Sequence, residues 1–138
     1  MNGIGAVTFL QTRLKTIAAL GNRVYLGETT FDPAQIRPLA SVIGIETEIA
    51  RQDCATHHVT DTIIVEGHFA AAAEDVLTPG HALLAAFQAA IKAASCDYTY
   101  GGQFIDLTFT GRRVIPREDG SSIGVCQLRL VVRYHEDF

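Results

Sequence analysis

The sequence GVCQLRLVVRY at residues 124–134 alternates between apolar and polar side chains, and this alternation predicts a long β-strand with one buried face. Successive side chains of a strand point to opposite sides, so the two classes of residue are expected to separate. The apolar face is expected to carry Cys126, Leu128, Leu130, Val132 and Tyr134. The opposite face is expected to carry Gln127, Arg129 and Arg133.

A second alternating segment precedes this strand and predicts its hairpin partner. Ile105, Leu107 and Phe109 alternate with polar residues, and residues 116–122 form a turn built around the pair Asp119-Gly120. The helices predicted below are too short to cover so long a hairpin. Part of the hairpin, an arm at about residues 103–134, is therefore expected to extend beyond the body of the domain.

The segments before the hairpin predict two helices and three strands. Apolar residues at helical spacing from Val7 to Ala18 predict an amphipathic helix that Gly21 ends. Strands are expected at residues 23–26, 40–48 and 61–69, with a proline-containing loop at 31–38.

The second helix is expected over about residues 79–94, with Thr78 as its N-cap. It has an apolar stripe formed by Leu83, Leu84, Phe87 and Ile91, and a flank of small residues formed by Ala85, Ala86, Ala89 and Ala93. Gly67 lies on the apolar face of its strand and predicts either a bulge or the close approach of a neighbour.

This order of elements predicts a single α+β domain over residues 1–138. Its sheet is expected to be mainly antiparallel, with two helices packed on one face and a long C-terminal β-hairpin. The length of 138 residues and the 48% of hydrophobic residues allow a packed core without disulfides or metals. These values exclude a disulfide mini-protein and a disordered tail.

Charge and cysteine content restrict the partners and the cellular compartment that are expected for this protein. The net charge of −4 argues against electrostatic binding to a phosphate backbone. Three cysteines without a CxxC pair indicate neither a disulfide framework nor a zinc ribbon. The N-terminal sequence has no basic leader, and no apolar stretch approaches the ~20 residues of a membrane span, so a cytosolic site of synthesis and no membrane contact are expected.

One local cluster in the sequence has the residue types of a metal site. His57 and His58, with Asp53, Cys54 and Asp61 nearby, have metal-ligand side chains, but adjacent histidines on an extended segment point to opposite sides. A polar loop at residues 52–58 is the simpler interpretation. The pairs Glu46/Glu48 and Glu74/Asp75 are interpreted as solvated acids.

The sequence also lacks the patterns expected for nucleophilic catalysis or for nucleotide binding. Cys126 is expected in the core, and Cys96 is a poor nucleophile near a helix C-terminus. No GxSxG or phosphate-binding glycine pattern is present. The sequence predicts no catalytic, cofactor-binding or metal-ligating residue, and a non-enzyme. A small metal-dependent enzyme that uses His57, His58, Cys54 or Glu66 is kept as an alternative.

The basic residues of the C-terminal third are all arginine, and two interpretations of this choice are open. Arginine forms forked contacts with carboxylates, which favours a protein interface. A solvated strand face would have the same composition. The residues concerned are Arg112, Arg113, Arg117, Arg129 and Arg133.

Several segments in order resemble one family. They are the opening helix followed by GNRVY (21–25), the proline loop that leads into a Val/Ile strand (38–45), the alternating strand at 62–69, the striped helix at 83–91 and the closing LRLVVRY (128–134). In this order the chain resembles the tail terminator, or tail completion, proteins of long-tailed bacteriophages. That resemblance implies a structural virion protein without cofactor or catalytic residues.

The resemblance also implies partners and a location. Such a protein forms a homo-oligomeric ring, typically a hexamer, at the head-proximal end of the tail tube. The ring ends polymerisation of the tail tube protein and presents a surface to the head-tail connector protein. DNA would pass through its lumen without specific binding, and assembly would take place in the host cytoplasm. The five arginines would contact adjacent protomers or the last tube ring, and a head-completion, neck or minor tail protein is the alternative.

Overall fold

The computed structural model describes residues 3–27, 38–53, 55–72, 74–92, 99–100, 104–115 and 122–137. Two helices and five strands are present in these ranges: α1 (Gly3–Leu14), β1 (Val24–Leu26), β2 (Leu39–Arg51), β3 (Thr56–Ala70), α2 (Leu77–Ile91), β4 (Asp106–Ile115) and β5 (Ile123–Asp137). The strands form one sheet in the order β1-β2-β3-β5-β4. Only the β1–β2 pair is parallel. The α+β fold with a mainly antiparallel sheet and a C-terminal hairpin is thus confirmed.

Strand β3 is the centre of the sheet. It pairs with β5 over its whole length, from Thr56 opposite Asp137 to Ala70 opposite Ile123. Its other edge pairs with β2, from Leu39 opposite His68 to Arg51 opposite His57. Because every second side chain points to the same side, such long pairing fixes which residues of three strands share a face.

One face of the sheet, the inner face, packs against both helices. The inner side chains of β5 are buried from Cys126 to Tyr134, as the alternation at 124–134 predicted. Helix α2 places Leu83, Leu84, Phe87 and Ile91 in the same core, which also contains Leu10 and Leu14 of α1. Apolar burial on this face is the main source of stability for the fold.

Two glycines of the inner face allow the close approach of α2. A Cβ atom at Gly67 would lie 2.7 Å from the Leu83 side chain and 2.9 Å from that of Phe87. A Cβ atom at Gly124 would lie 2.4 Å from the Phe69 ring. The pairing of β3 with β5 is continuous through Gly67, so close approach, and not a bulge, explains this glycine.

Both helices differ in extent from the prediction. Helix α1 ends at Leu14, because the next turns carry hydrogen bonds to the third preceding residue, such as Ile17 N–H to Leu14 O at 3.0 Å. The Thr16 hydroxyl bonds to the Arg13 carbonyl and supports this earlier end. Gly21 adopts a left-handed φ of 58°, but it ends the turns that follow α1 and not α1 itself.

Helix α2 begins before the predicted N-cap. Thr78 lies inside the first turn, and its N–H donates to Asp75 Oδ1 at 3.0 Å. The helix ends at Ile91, because Lys92 has an extended ψ of 132°. Arg13 of α1 covers this end by donating to the carbonyl oxygens of Ala90 and Lys92. Residues 93 and 94 of the predicted helix lie outside the described residues.

The described residues of the expected arm at 103–134 form the two strands of a hairpin, and the extension of its tip stays a prediction. Strands β4 and β5 belong to the sheet, and β5 remains buried on its inner face as far as Tyr134. The tip of the hairpin at 116–121 lies outside the described residues. The exposed extension among the described residues is the second half of β2, where every residue from Gly44 to Arg51 is exposed.

Candidate assembly interface

The sheet face opposite the helices, the outer face, carries the polar residues of the three best-paired strands. Glu66 of β3 lies opposite Gln127 of β5, and Gln127 lies opposite Arg113 of β4. Arg129 and Arg133 lie on the same side of β5 as Gln127, as the sequence predicted. The outer face is therefore polar where the inner face is apolar.

A chain of hydrogen bonds crosses the outer face from β4 to β3. Arg113 Nε donates to Gln127 Oε1 at 2.8 Å, and Gln127 Nε2 donates to Glu66 Oε2 at 2.7 Å. His68 Nε2 lies 2.7 Å from the other oxygen of Glu66. These contacts orient the Arg113 side chain. Each of the two oxygens of the Glu66 carboxylate has a partner among them.

The other two arginines of this face differ in their partners. Arg133 Nη1 lies 3.0 Å from Asp106 Oδ2, in an ion pair whose side chains are about half exposed. Such an exposed pair contributes about 1 kcal/mol or less. The guanidinium of Arg129 makes no hydrogen bond or ion pair with any described residue, although the backbone oxygen of Arg129 accepts a bond from Thr110. Arg129 is thus the cation on this face with its charge available.

An open groove of about 350 Å³ separates Arg113 from Arg129. The groove is also lined by Ile64 of β3, Gln127 of β5, and Gly111 and Arg112 of β4. Ile64 lies directly opposite Arg129, on the side of β5 away from Arg113, and it lines the groove together with the two arginines. A surface with two guanidinium groups fits a segment that carries carboxylates.

Arg112, predicted with the other arginines to contact a partner, lies on a different side of the sheet from Arg113, Arg129 and Arg133. The pairing of β4 with β5 shifts by one residue between Phe109 and Gly111, so Arg112 lies opposite the buried Leu128. Its Nη1 donates to Gln88 Oε1 of α2 at 2.9 Å, on the helix side of the sheet. The sequence contains a signal for this bulge, because the inward apolar positions change from odd numbers at Phe109 to an even number at Val114. Arg117 lies outside the described residues.

The predicted polar loop at residues 52–58 is also wrong in extent. Strand β3 begins at Thr56, so His57 and His58 belong to a strand and do point to opposite faces. The turn is short because the Asp53 carboxylate accepts the N–H groups of both Ala55 and Thr56 at 2.8 Å. These bonds lower the pKa of Asp53.

The structure pairs His58 with His135 of β5, which the sequence did not indicate. Their ring centroids are 5.7 Å apart, and His58 Nε2 is buried without a hydrogen-bond partner. Within the described ranges, no group of three or more His, Cys, Asp or Glu side chains could hold a metal ion. No helix in the same ranges is long and apolar enough to cross a membrane.

The other chemical candidates lie apart from one another. Glu46 and Glu48 are exposed on the second half of β2, and Glu66 is held in the outer-face chain of hydrogen bonds. Asp75 accepts the Thr78 N–H, which lowers the pKa of its carboxyl. Cys54 and Cys96 lie outside the described residues.

A polar cluster at the end of the core was missed by the sequence analysis. Asp61 is buried on the inner face, where its carboxylate accepts the Tyr134 hydroxyl at 2.7 Å and the Thr47 hydroxyl at 2.6 Å. Burial and the neighbouring carboxylate raise the pKa of Tyr134. Asp61 occupies an inward position of its strand, which is the signal that could have revealed it.

Cys126 predicts a loss of stability at alkaline pH. Burial raises the pKa of its thiol from 9.0 to about 12, so the unfolded chain releases this proton at lower pH than the folded chain. Stability from this group is complete below pH 9.0 and decreases by about 1.4 kcal/mol per pH unit between 9.0 and about 12. Urea denaturation at pH 8, 9, 10 and 11 measures the slope, and Cys126→Ala is expected to remove this part of it. An equal slope in the two proteins would contradict the assignment.

Comparison of the sequence with known protein families and with curated proteins found no match. Among solved structures, a chain from the virion of a native gene transfer agent particle is similar to this chain, with a TM-score of 0.59. The two chains share a fold. The similarity covers 95% of this chain and 93% of that chain at 17% sequence identity, and at this identity it is evidence for the fold and not for the function.

Proposed function

We propose that this chain is a structural virion protein that terminates a phage tail tube. The observation that carries this proposal is the fold shared with a virion chain over nearly the whole length of both molecules. In this role copies of the chain form a ring, a hexamer by analogy with tail terminators, at the head-proximal end of the tube. The ring stops addition of tube protein and presents a surface to the head-tail connector.

The outer face supports this role, because a ring subunit must bind neighbours on two different surfaces. Arg113, Arg129 and Arg133 concentrate cations on one part of the outer face, next to the carboxylates of Glu66 and Asp106, on a chain whose net charge is −4. A negative chain also suits a lumen through which DNA passes without binding. Arg112 is not part of this surface, since it faces α2.

The role predicts an effect on tube length. Addition of the purified chain to polymerising tail tube protein of the same virus is expected to cap tube ends and to reduce their mean length in negative-stain micrographs. The double variant Arg129→Glu/Arg133→Glu is expected to lose this effect, because it reverses two charges of the outer face and leaves the core unchanged.

The matched control is Lys15→Glu/Lys92→Glu, which changes the net charge equally at exposed positions on the other side of the sheet. It is expected to cap tubes as the unchanged chain does. Normal capping by the Arg129→Glu/Arg133→Glu variant would contradict the role of the outer face. Binding to portal-side proteins without any effect on tubes would replace the terminator by the neck or head-completion alternative.

A further inference from the structure

The second half of β2 is an exposed strand segment with an unusual composition. Ile45, Glu46, Thr47, Glu48 and Ile49, here called the acidic segment, are all exposed. Ile45 and Ile49 are 48% and 59% exposed, which is high for large aliphatic side chains. Strand β1 covers the edge of β2 only from Ala40 to Val42, so no other described strand pairs with the free edge of the acidic segment. Exposed apolar residues beside unpaired carboxylates are typical of a surface that binds a partner.

The spacing of the charges matches the groove on the outer face. Glu46 and Glu48 are two residues apart on one side of a strand, which places them about 7 Å from each other. Arg129 lies opposite Gly111, so Arg113 and Arg129 are diagonal neighbours on adjacent strands. Such neighbours are separated by about 7–8 Å. The two carboxylates therefore have the separation needed to meet the two guanidinium groups at the same time.

We propose that the groove between Arg113 and Arg129 binds the acidic segment of a second copy of this chain. Glu46 and Glu48, which lie on the same side of β2, pair with the two arginines. This inference rests on the proposed function, from which it takes the ring of identical copies. It identifies the two surfaces that join neighbouring copies in that ring.

Both surfaces lie on the outer face, since Glu46 and Glu48 pair opposite Thr62 and Thr60, but they occupy different strands. The acidic segment lies on β2 and the groove lies on β3, β5 and β4, so the contact joins two different patches. A contact between unlike patches repeats from copy to copy and closes when its rotation permits. A second copy is a better partner than nucleic acid because the net charge of −4 opposes binding to a phosphate backbone.

The existing contacts of each arginine predict how much that arginine contributes to assembly. Arg129 has its charge available, and Arg113 is already oriented by Gln127, whereas Arg133 is engaged with Asp106. Arg129→Glu is therefore expected to weaken assembly more than Arg133→Glu. Gln127 lies between Arg113 and Glu66, since it accepts from the one and donates to the other, so the Glu66 carboxylate does not bind Arg113 directly.

A charge exchange between two versions of the chain tests the contact. One version carries Arg113→Glu and Arg129→Glu, and the other carries Glu46→Arg and Glu48→Arg. Each version alone brings like charges together, so each is expected to need at least about tenfold more protein for half-assembly than the unchanged chain. In an equimolar mixture every groove can meet a segment of opposite charge, and alternating oligomers of the original size are expected. Mass photometry at low and high salt measures all four samples.

The mixture also controls for folding, because an unfolded version could not restore assembly. Three results would overturn the inference. The first is that either version alone assembles as the unchanged chain does. The second is that the mixture does not assemble although both versions have native circular dichroism spectra, and the third is that the unchanged chain stays monomeric at high concentration. A reversed groove that leaves rings intact but prevents tube capping would reassign the groove to the tube protein. Rings that obey the charge exchange but never cap tubes would overturn the proposed function and leave the interface in place.

Discussion

Gly124→Ala is expected to lower the free energy of unfolding by about 2–3 kcal/mol, although it adds a single methyl group. The new Cβ would lie 2.4 and 2.5 Å from two atoms of the Phe69 ring and 2.8 Å from Val76 Cγ2. Phe69 lies directly opposite Gly124 in the pairing of β3 with β5, and its ring is buried. The ring must therefore move into packed surroundings, which costs energy.

Thermal unfolding followed by circular dichroism measures this effect, with an expected decrease in Tm of roughly 10 °C for a domain of this size. Gly44→Ala is the matched control, because Gly44 also lies in a strand and a Cβ there meets nothing within 4 Å. The free energy of unfolding of the Gly44→Ala variant is expected to change by about 0.5 kcal/mol or less. A smaller side chain at Phe69, as in Phe69→Leu, is expected to reduce the cost of Gly124→Ala. Simple additivity of the two changes would contradict the steric explanation.

Tyr134→Phe is expected to destabilise the fold by about 3 kcal/mol. The change removes one hydroxyl but leaves the buried Asp61 carboxylate with only the Thr47 hydroxyl as a donor. A buried charge without its hydrogen bonds is strongly unfavourable, so the penalty arises at Asp61 and not at the tyrosine. Urea denaturation at pH 7 measures the change.

Tyr25→Phe removes the same atom from an exposed tyrosine of β1 and is expected to have little effect. The double variant Asp61→Ala/Tyr134→Phe distinguishes the two possible origins of the penalty. Since it removes the acceptor together with the donor, its destabilisation should be smaller than the sum of the two single changes. A cost of Tyr134→Phe that is the same with and without Asp61 would show that packing, and not the hydrogen bond, is responsible.

Local patterns were sufficient to predict the elements that pair over long distances. The alternation at 124–134 and at 61–69 placed the apolar faces of β5 and β3 correctly, because a side chain in a strand has only two directions. The apolar stripe of α2 was also correct from Leu83 to Ile91. The position of Gly67 on the apolar face predicted either a bulge or a close approach, and the structure shows the close approach.

Boundaries were harder to predict, because single hydrogen bonds decide them. Asp53 closes the turn between β2 and β3 by accepting two N–H groups, which extends both strands into a segment whose polar composition indicated a loop. Asp75 replaces the expected contribution of Thr78 at the start of α2. Either side chain could have made other bonds in a different fold.

The sequence by itself determined the fold class and the face on which Arg129 and Arg133 lie, because both depend on the period of a single strand. Only the tertiary structure decided which residues accompany them. One extra residue at the bulge in β4 moves Arg112 to the helix side and leaves Arg113 beside Arg129. The short β1 leaves Glu46 and Glu48 exposed on β2. The partner of a strand, and the register in which it pairs, depend on contacts between distant parts of the chain that no local pattern contains.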